Sequence, residues 1–137
     1  RAPEWTLRSP GGDFQGRALI VAAVNGRQYG GGAIVAPQAR LDDGLLDFVV
    51  FEDAGALEVM LNAPRLFFGT IRGFRRYRHL RAAQARLEGP VAFLHHRDGE
   101  PEEAAPFLDL RLERRALRIL VPRATAEDPD GPFLPPG

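Results

Sequence analysis

The sequence predicts a mainly β domain built from short antiparallel strands. Fifteen glycines and twelve prolines among 137 residues indicate many turns, and many turns imply short strands. Several segments, such as residues 108–112, alternate apolar and polar residues with the period of two that half-buried strands show. A chain of this length fits one domain with one core. We therefore expect a single β-rich domain.

The composition excludes several classes of function. The net charge is zero, so no global positive field can hold nucleic acid, and we expect no nucleic-acid partner. All eighteen basic residues are arginine, which excludes a Schiff-base lysine or a phosphate-binding Walker lysine from this chain. The absence of cysteine excludes disulfides and thiolate chemistry. No apolar run reaches about 18 residues, and residues 1–4 do not begin a signal peptide, so we expect a soluble chain.

The first third of the chain predicts two hairpins. EWTLR and the apolar run from Ala18 to Val24 have the pattern of strands on either side of a turn at residues 10–13. Asn25-Gly26 then has the composition of a type I′ turn, which would return the chain as the strand RQYGGGAIVAP. The segment Gly11-Gly12-Asp13 is similar to a phosphate-binding loop. Because a strand and not a helix follows it, a hairpin turn is favoured.

The middle of the chain predicts an interior strand and then a short helix. LLDFVVF, residues 45–51, is apolar on both faces, as an interior strand is. In the following segment Leu57, Met60 and Leu61 share one helical face, with Asp53 as a candidate N-cap. We expect one short helix that ends before Pro64. The segment YRHLRAAQARLEGP, residues 77–90, is rich in residues of high helix propensity, and propensity alone predicts a second helix there.

The last third predicts three strands and a tail. VAFLHHRDGE enters a turn at Asp98-Gly99. Residues 106–122 then hold two alternating runs, 108–112 and 117–121, separated by a turn near residues 113–115. From residue 123 onward the chain has little to bury. We therefore divide the sequence into a domain, residues 1–122, and a proline-rich tail, residues 123–137, that is mobile or docks elsewhere.

Two acidic turns are candidate sites. Asp42-Asp43-Gly44 can offer a carboxylate and neighbouring carbonyl oxygens to a hard cation such as Mg²⁺. Its carboxylates can equally cap backbone amides in an Asx turn, and the residues favour neither alternative. Glu100 follows the tight bend at Asp98-Gly99, where a carboxylate can serve as a general base. The residues alone favour a simple turn at this point.

Two further clusters have the character of structural features. His95 and His96 are adjacent in a predicted strand, so their side chains leave opposite faces and cannot chelate one ion. The segment from Arg72 to Arg81 interleaves five arginines with two aromatic residues, a combination that can contact phosphates or a membrane surface. Since the net charge is zero, we favour a solvated segment whose arginine stems cover apolar neighbours.

Three blocks, in their order and spacing, resemble the C-terminal half of the bacterial soluble diacylglycerol kinase and lipid kinase family, distantly related to sphingosine and ceramide kinases. They are NGRQYGGGAIVAPQARLDDGLLD, RDGE and ALRILVP, and the first is the most specific. The resemblance extends from about Trp5 to Pro122. It implies a two-layer β-sandwich of antiparallel strands with one short helix, packed against an N-terminal nucleotide-binding α/β domain. It also implies that HLRAAQARL is a strand, against its helix propensity.

The resemblance implies roles for particular residues. Such kinases transfer the γ-phosphoryl group of ATP to a lipid hydroxyl, and Glu100 takes the position of the proposed base. Asp43, with the backbone carbonyls of Arg40 and Leu45, takes the position of a structural Mg²⁺ site. We expect an apolar lipid groove near the short helix, lined by Leu61, Leu66, Phe67 and Phe68.

The ATP-binding loop GGDGT of that family is absent from this sequence, and Gly11-Gly12-Asp13 does not replace it. Phosphoryl transfer needs positioned phosphates and a metal, so we predict that this chain alone is catalytically silent and acts with an N-terminal nucleotide-binding domain. The alternative is a non-catalytic module that binds lipid or protein. A third hypothesis has the arginines of residues 72–81 docking on anionic lipid. We expect a cytoplasmic protein with peripheral contact at the inner membrane face, and a homodimer is left open.

Overall fold

The structure, a computed structural model, describes residues 1–134. Its main strands are β1 (Glu4–Arg8), β2 (Phe14–Val24), β5 (Leu46–Glu52), β6 (Tyr77–Ala82), β7 (Gln84–Arg97) and β8 (Glu100–Arg111). Two short strands, β3 (Gln28–Tyr29) and β4 (Ala33–Ile34), form a separate hairpin. The helices are α1 (Ala56–Asn62), α2 (Pro64–Phe67) and α3 (Arg123–Ala126), with a 3₁₀ turn at Ile71–Gly73. The predicted mainly β class is confirmed, although β2, β7 and β8 are longer than predicted.

The six main strands form one antiparallel sheet in the order β6-β5-β2-β1-β7-β8. Strand β2 joins its two halves, because residues 14–17 pair with β1 and residues 18–24 pair with β5. The register shifts between Ala18 and Ile20, and such a bulge bends a strand. Strand β2 therefore leaves one half of the sheet at this bend and enters the other.

The two halves of the sheet enclose one apolar cluster. Phe48 of β5 packs there with Leu7 of β1, Ala82 of β6, and Ala85 and Leu87 of β7. Since these strands come from both halves, the halves face each other across the cluster. The result is the two-layer arrangement that the resemblance implied.

A second cluster lies on the other face of β5. Val49 packs there with Val35 from the loop after β4, with Ile71 of the 3₁₀ turn, and with Phe74 and Tyr77 beyond it. Strand β5 is thus buried on both faces, and Phe48 and Val49 are both fully buried. The predicted interior strand at residues 45–51 is confirmed, because β5 lies between β2 and β6.

The turn at residues 9–13 is a hairpin, as predicted. The backbone N–H of Ser9 donates to Asp13 Oδ1 over 3.0 Å, and the Ser9 hydroxyl donates to the carbonyl oxygen of Gly12 over 2.7 Å. These bonds use the aspartate as a turn residue, so Gly11-Gly12-Asp13 closes the β1–β2 hairpin.

The predicted type I′ turn at Asn25-Gly26 is wrong. Neither residue has a positive φ, and β2 pairs with β5 in place of the returning segment. The triple glycine is itself the turn between β3 and β4, with φ of 46°, 52° and 81° at Gly30, Gly31 and Gly32. Three successive positive φ values are accessible to glycine at little steric cost, which explains the run. RQYGGGAIVAP is therefore a small hairpin and not one strand.

Helix propensity fails at residues 77–90, which form β6 and the start of β7 as the resemblance implied. Their inward-facing residues Ala82, Ala85 and Leu87 are buried in the sandwich, and this tertiary burial overrides the local preference. The predicted helix before Pro64 is present as α1. Its N-cap is Gly55 and not Asp53, without a side-chain cap bond. None of the helices in residues 1–134 is both long enough and apolar enough to cross a membrane.

The predicted strand at residues 117–121 is wrong, because residues 112–122 form no strand. Leu117 and Leu120 are exposed. An alternating pattern specifies the two faces of a strand, but a strand also needs a neighbour to pair with. Within the described residues no further strand pairs with the free edge of β8. Tail residues 123–134 lie against a loop of the same chain, described below. Docking of the tail on another domain stays a prediction, and its residues 135–137 lie outside the described residues.

Candidate functional site

The turn that carries Glu100 is a two-residue hairpin, as predicted. Arg97 at the end of β7 pairs with Glu100 at the start of β8. Asp98 and Gly99 between them have φ of 51° and 93°, the positive values that such tight hairpins need. Glu100 is exposed at the base of this turn, so its carboxylate is accessible from solvent.

The triple-glycine hairpin lies beside this turn. The Tyr29 hydroxyl oxygen is 2.5 Å from His96 Nε2, and His96 pairs with Pro101 across the β7–β8 hairpin. A cavity opens at this contact, lined by Tyr29, Leu94, His95, His96, Gly99 and Pro101. Because successive strand residues leave opposite faces, Glu100 projects from the face opposite to His96 and Pro101. The structure thus brings together two of the three blocks that carry the resemblance.

Asp43 forms an Asx turn and an ion pair at the same time. Its Oδ1 accepts the backbone N–H of Leu45 over 2.9 Å, across Gly44 with φ of 79°. Its Oδ2 pairs with the guanidinium of Arg81. The Asx-turn alternative is therefore present in the structure, and the carboxylate also has a basic partner.

A buried carboxylate continues this network. Asp47 is fully buried in β5, and its Oδ1 lies 2.6 Å from His79 Nε2 and 3.3 Å from Arg81 Nε. Its Oδ2 has no hydrogen-bond partner among the described residues. A buried carboxylate is costly unless it has polar partners, and Arg81 and His79 are the partners that stabilise Asp47 in the core. Arg81 therefore links the largely buried Asp43 to the fully buried Asp47.

Tyr77 lies next to this network. Its hydroxyl donates to the carbonyl oxygen of Val35 over 2.9 Å, and its ring stacks on His79. Burial, and then the nearby charge of Asp47, raise the pKa of Tyr77 to about 12, against a smaller opposing effect of Arg72. The phenol therefore stays protonated and keeps its bond to Val35 well above neutral pH.

The residues predicted to hold Mg²⁺ lie around one cavity. Asp43, Arg40 and Leu45 line it together with Arg27 and Arg81. One carboxylate with backbone carbonyls is the oxygen donor chemistry that Mg²⁺ takes, so the donor set fits. Arg81 already neutralises the carboxylate, however, and a cation would share or displace it. Among residues 1–134 no cluster of three or more acidic, histidine or cysteine side chains adds further ligands.

The tail packs against the loop that carries Arg40 and Asp43. Arg40 donates to the carbonyl oxygens of Gly131 and Phe133 over 2.6 and 2.5 Å, and to that of Pro129 over 2.8 Å. Arg27 donates to the carbonyl of Gly131 over 2.5 Å. We call this set of contacts the tail clasp. The clasp holds the loop after Pro37, because two guanidinium groups share the carbonyls of one short segment.

Two more hydrogen bonds join the loop to the tail in this clasp. The N–H of Leu41 donates to the carbonyl of Pro132 over 2.8 Å. The N–H of Leu134 donates to Asp42 Oδ1 over 2.8 Å. Asp42 therefore binds the tail and Asp43 binds Arg81, so the two adjacent carboxylates have different partners.

The residues predicted to line a lipid groove lie apart from both cavities. Leu61 of α1, Phe67 of α2 and Phe68 directly after α2 are exposed, whereas Leu66 is half-buried against the cluster around Val49. They form an open apolar face and not an enclosed groove. Lipid binding by these four residues stays a prediction.

Sequence reasoning missed several of these residues. The contact of Tyr29 with His96 joins positions 67 residues apart, and no local pattern indicates it. Asp47 carried a signal, since it is a carboxylate inside the apolar run LLDFVVF. Its partners His79 and Arg81 come from the strand that pairs with β5, which only the sheet order reveals.

Comparisons with known proteins match this fold. Residues 1–121 match the family model of the YegS C-terminal NAD kinase β-sandwich-like domain. A probable YegS-like lipid kinase of Pseudomonas putida is 34% identical over 122 residues, which cover 85% of this chain and 37% of that protein. Another, from Enterobacter sp. (strain 638), is 31% identical over 128 residues, 88% of this chain and 37% of that protein.

Solved structures agree on the fold. A diacylglycerol kinase from Bacillus anthracis superposes with a TM-score of 0.56 at 16% identity, over 78% of this chain and 38% of that chain. A second solved chain from the same organism gives a TM-score of 0.64 at 19% identity, over 81% of this chain and 38% of that one. The present chain spans less than two fifths of the length of each of these proteins.

Proposed function

This chain belongs to the family of YegS C-terminal NAD kinase β-sandwich-like domains, and from that membership we propose that it is the C-terminal domain of an ATP-dependent lipid kinase. The observation that carries the proposal is the position of Glu100. Its tight hairpin contacts the triple-glycine hairpin through Tyr29 and His96 on one face, and the Glu100 carboxylate projects into solvent from the opposite face. A second domain that binds ATP would complete the site there.

In this proposal Glu100 is the general base. Its carboxylate accepts the proton of the lipid hydroxyl while the hydroxyl oxygen attacks the γ-phosphorus of ATP and the bond to ADP breaks. The two-residue turn fixes the backbone position of Glu100 at the start of β8. The sequence contains no GGDGT loop to bind the nucleotide phosphates, so we propose that this chain acts only together with an N-terminal nucleotide-binding domain.

The proposed metal is a structural Mg²⁺ held by Asp43 and the carbonyls of Arg40 and Leu45. When bound, it would neutralise Asp43 and fix the acidic loop. Arg81 competes for the same carboxylate, so binding of the metal and release of Arg81 are coupled. The tail clasp leaves the Arg40 side chain occupied by carbonyl oxygens, and only its backbone would then serve the metal.

The proposed acceptor is a membrane lipid, and the proposed place of action is the inner face of the membrane. Leu61, Leu66, Phe67 and Phe68 would contact its acyl chains. A non-catalytic lipid-binding module is the alternative, supported by the exposure of Leu61, Phe67 and Phe68. An upstream GGDGT loop in the same reading frame would support the kinase, and its absence would support the module.

Replacement of Glu100 by Gln in the full-length protein tests the base. We expect kcat to fall by about 10²-fold or more, the usual contribution of a general base, with KM for the lipid little changed. Glu103→Gln is the matched control, since Glu103 is another exposed glutamate on β8. Activity of Glu100→Gln close to that of the control would refute the role of Glu100 and leave only the fold assignment.

A further inference from the structure

The two helices after β5 carry an apolar surface that nothing in the described chain covers. Its side chains are Leu57, Met60, Leu61, Phe67 and Phe68, which are 64%, 64%, 68%, 60% and 79% exposed. We call these five side chains the apolar helix face. No residue of α1 or α2 is buried. Single exposed leucines are ordinary, but five large apolar side chains within twelve positions mark a surface that contacts something else.

Arginines border the apolar helix face. Arg75 and Arg76 both reach Glu58 Oε1 of α1, at 3.1 and 3.6 Å. Arg65 of α2 donates to Asn62 over 2.9 Å, and Arg72 is exposed in the 3₁₀ turn that follows. We call the four arginines the arginine rim.

The charge of this region differs from that of the whole chain. Residues 56–76 hold four arginines and one acidic residue, Glu58, a net charge of +3 in a protein of net charge zero. The positive charge is therefore concentrated at the border of the apolar helix face.

We propose that the apolar helix face and the arginine rim dock on an anionic lipid bilayer. Leucine, methionine and phenylalanine side chains enter the boundary between head groups and acyl chains, while arginine guanidinium groups bind the lipid phosphates. The inference deepens the proposed function, on which it rests, by naming how the domain would reach a membrane lipid.

Size and charge favour a bilayer over a protein partner. Helix α1 has seven residues and α2 has four, whereas a standard protein interface uses about 20–30 residues on each side. Peripheral membrane binding needs only a few inserted side chains when a basic patch adds a second contribution. The combination of a small apolar surface with excess positive charge meets that requirement.

Binding to vesicles tests this proposal. The chain is mixed with vesicles of phosphatidylcholine alone, or of phosphatidylcholine with phosphatidylglycerol, and the bound fraction is measured by flotation over a range of salt. We expect binding to the anionic vesicles that weakens as salt rises, and little binding to the neutral ones. Equal binding to both compositions would overturn the role of the arginine rim.

Two double variants separate the two contributions. Arg72→Gln with Arg75→Gln should weaken anionic binding by about 25-fold, since each arginine near an anionic surface strengthens binding about fivefold. Leu61→Ser with Phe68→Ser should weaken it by about tenfold or more, because the inserted apolar surface is lost. All four side chains are exposed, and unchanged thermal melts would confirm that the fold is intact.

The matched control removes equally exposed leucines elsewhere, by Leu117→Ser with Leu120→Ser. We expect this variant to bind like the wild type. If it loses as much binding as the helix variant, or if the helix variant keeps full binding, the proposal is wrong. If the full-length protein does not bind anionic vesicles although this chain does, the face is covered by an interdomain contact and the proposal also fails.

This assay is independent of the chemistry. Lipid phosphorylation by the full-length protein can be measured in detergent micelles, where no bilayer is needed. Micelle activity without vesicle binding would overturn the docking surface alone. Vesicle binding without micelle activity would overturn the kinase and keep the surface.

Discussion

Raising the pH tests the burial of Tyr77 with few interfering groups. The chain has no lysine and no cysteine, so tyrosine is the only side-chain type with an ordinary pKa between about 9 and 12, and there are two tyrosines. Tyr77 is 8% exposed and donates to the Val35 carbonyl. Burial, followed by the charge of Asp47, raises its pKa from 10.0 to about 12.

The sign of the effect follows from proton binding. In the unfolded chain Tyr77 loses its proton near pH 10, whereas the folded protein keeps it until about pH 12. Below pH 10 both states are protonated, and the stabilising contribution of the buried phenol is fully present. As the pH rises from 10 to 12 only the unfolded state ionises, so the free energy of unfolding falls.

The pKa difference gives the magnitude. A difference of about two units corresponds to about 2–3 kcal/mol of unfolding free energy lost by the time the pH reaches 12. Urea denaturation followed by the fluorescence of Trp5, the single tryptophan, measures this loss in steps from pH 9 upward. Below pH 10, Tyr77→Phe should be less stable than the wild type by about 1 kcal/mol, because it lacks the bond to Val35. It should show no alkaline loss, so near pH 12 it should be the more stable of the two proteins.

Two results would refute this reasoning. One is an alkaline loss in Tyr77→Phe as large as that in the wild type, which would place the titrating group elsewhere. The other is tyrosinate absorbance that develops near pH 10 in Tyr29→Phe, where Tyr77 is the remaining tyrosine. Either would mean that the phenol is not held protonated by its buried surroundings.

Three other experiments have defined outcomes. Gly11→Ala would place a Cβ 1.9 Å from the Arg81 carbonyl oxygen, so we expect urea denaturation to show a loss of at least about 2 kcal/mol in the free energy of unfolding. Gly31 has a positive φ but open space around it, so Gly31→Ala should cost only about 1 kcal/mol. A larger loss for Gly31→Ala than for Gly11→Ala would contradict the turn geometry. Deleting residues 128–137 removes the tail clasp and should lower the free energy of unfolding by about 1–3 kcal/mol and speed proteolysis near residues 40–45; unchanged stability and proteolysis would contradict the clasp. Mg²⁺ should raise the melting temperature of the wild type and of Asp42→Asn but not of Asp43→Asn, and equal shifts in all three would exclude Asp43 as the ligand.

Local sequence chemistry predicted the features that depend on neighbouring residues. The interior strand follows from the apolar residues on both faces of β5, and the Glu100 hairpin follows from Asp98-Gly99, a pair that accepts positive φ. The hairpin at Gly11-Gly12-Asp13 could be predicted for the same reason. In each case the deciding interaction lies within a few residues of the chain.

Features set by distant contacts could not be predicted in this way. Helix propensity at residues 77–90 yields to burial between two sheet halves, and only the folded chain reveals that burial. The helical pattern at Leu57, Met60 and Leu61 correctly indicated an apolar face, but a pattern does not say whether the face packs on the domain or points outward. The partners of Asp47 come from the neighbouring strand β6, and the sheet order alone brings them together.

The strand shared by both layers makes the domain indivisible. Because β2 provides hydrogen-bonding partners to β1 along one end and to β5 along the other, removing either layer leaves half of that strand without a neighbour. An inserted loop at the bend between Ala18 and Ile20 would therefore disrupt both layers together. Insertions at the tips of the triple-glycine and Asp98-Gly99 hairpins would lengthen only a turn. Chimeras with related domains should therefore tolerate junctions at these two hairpins, at the rim of the site.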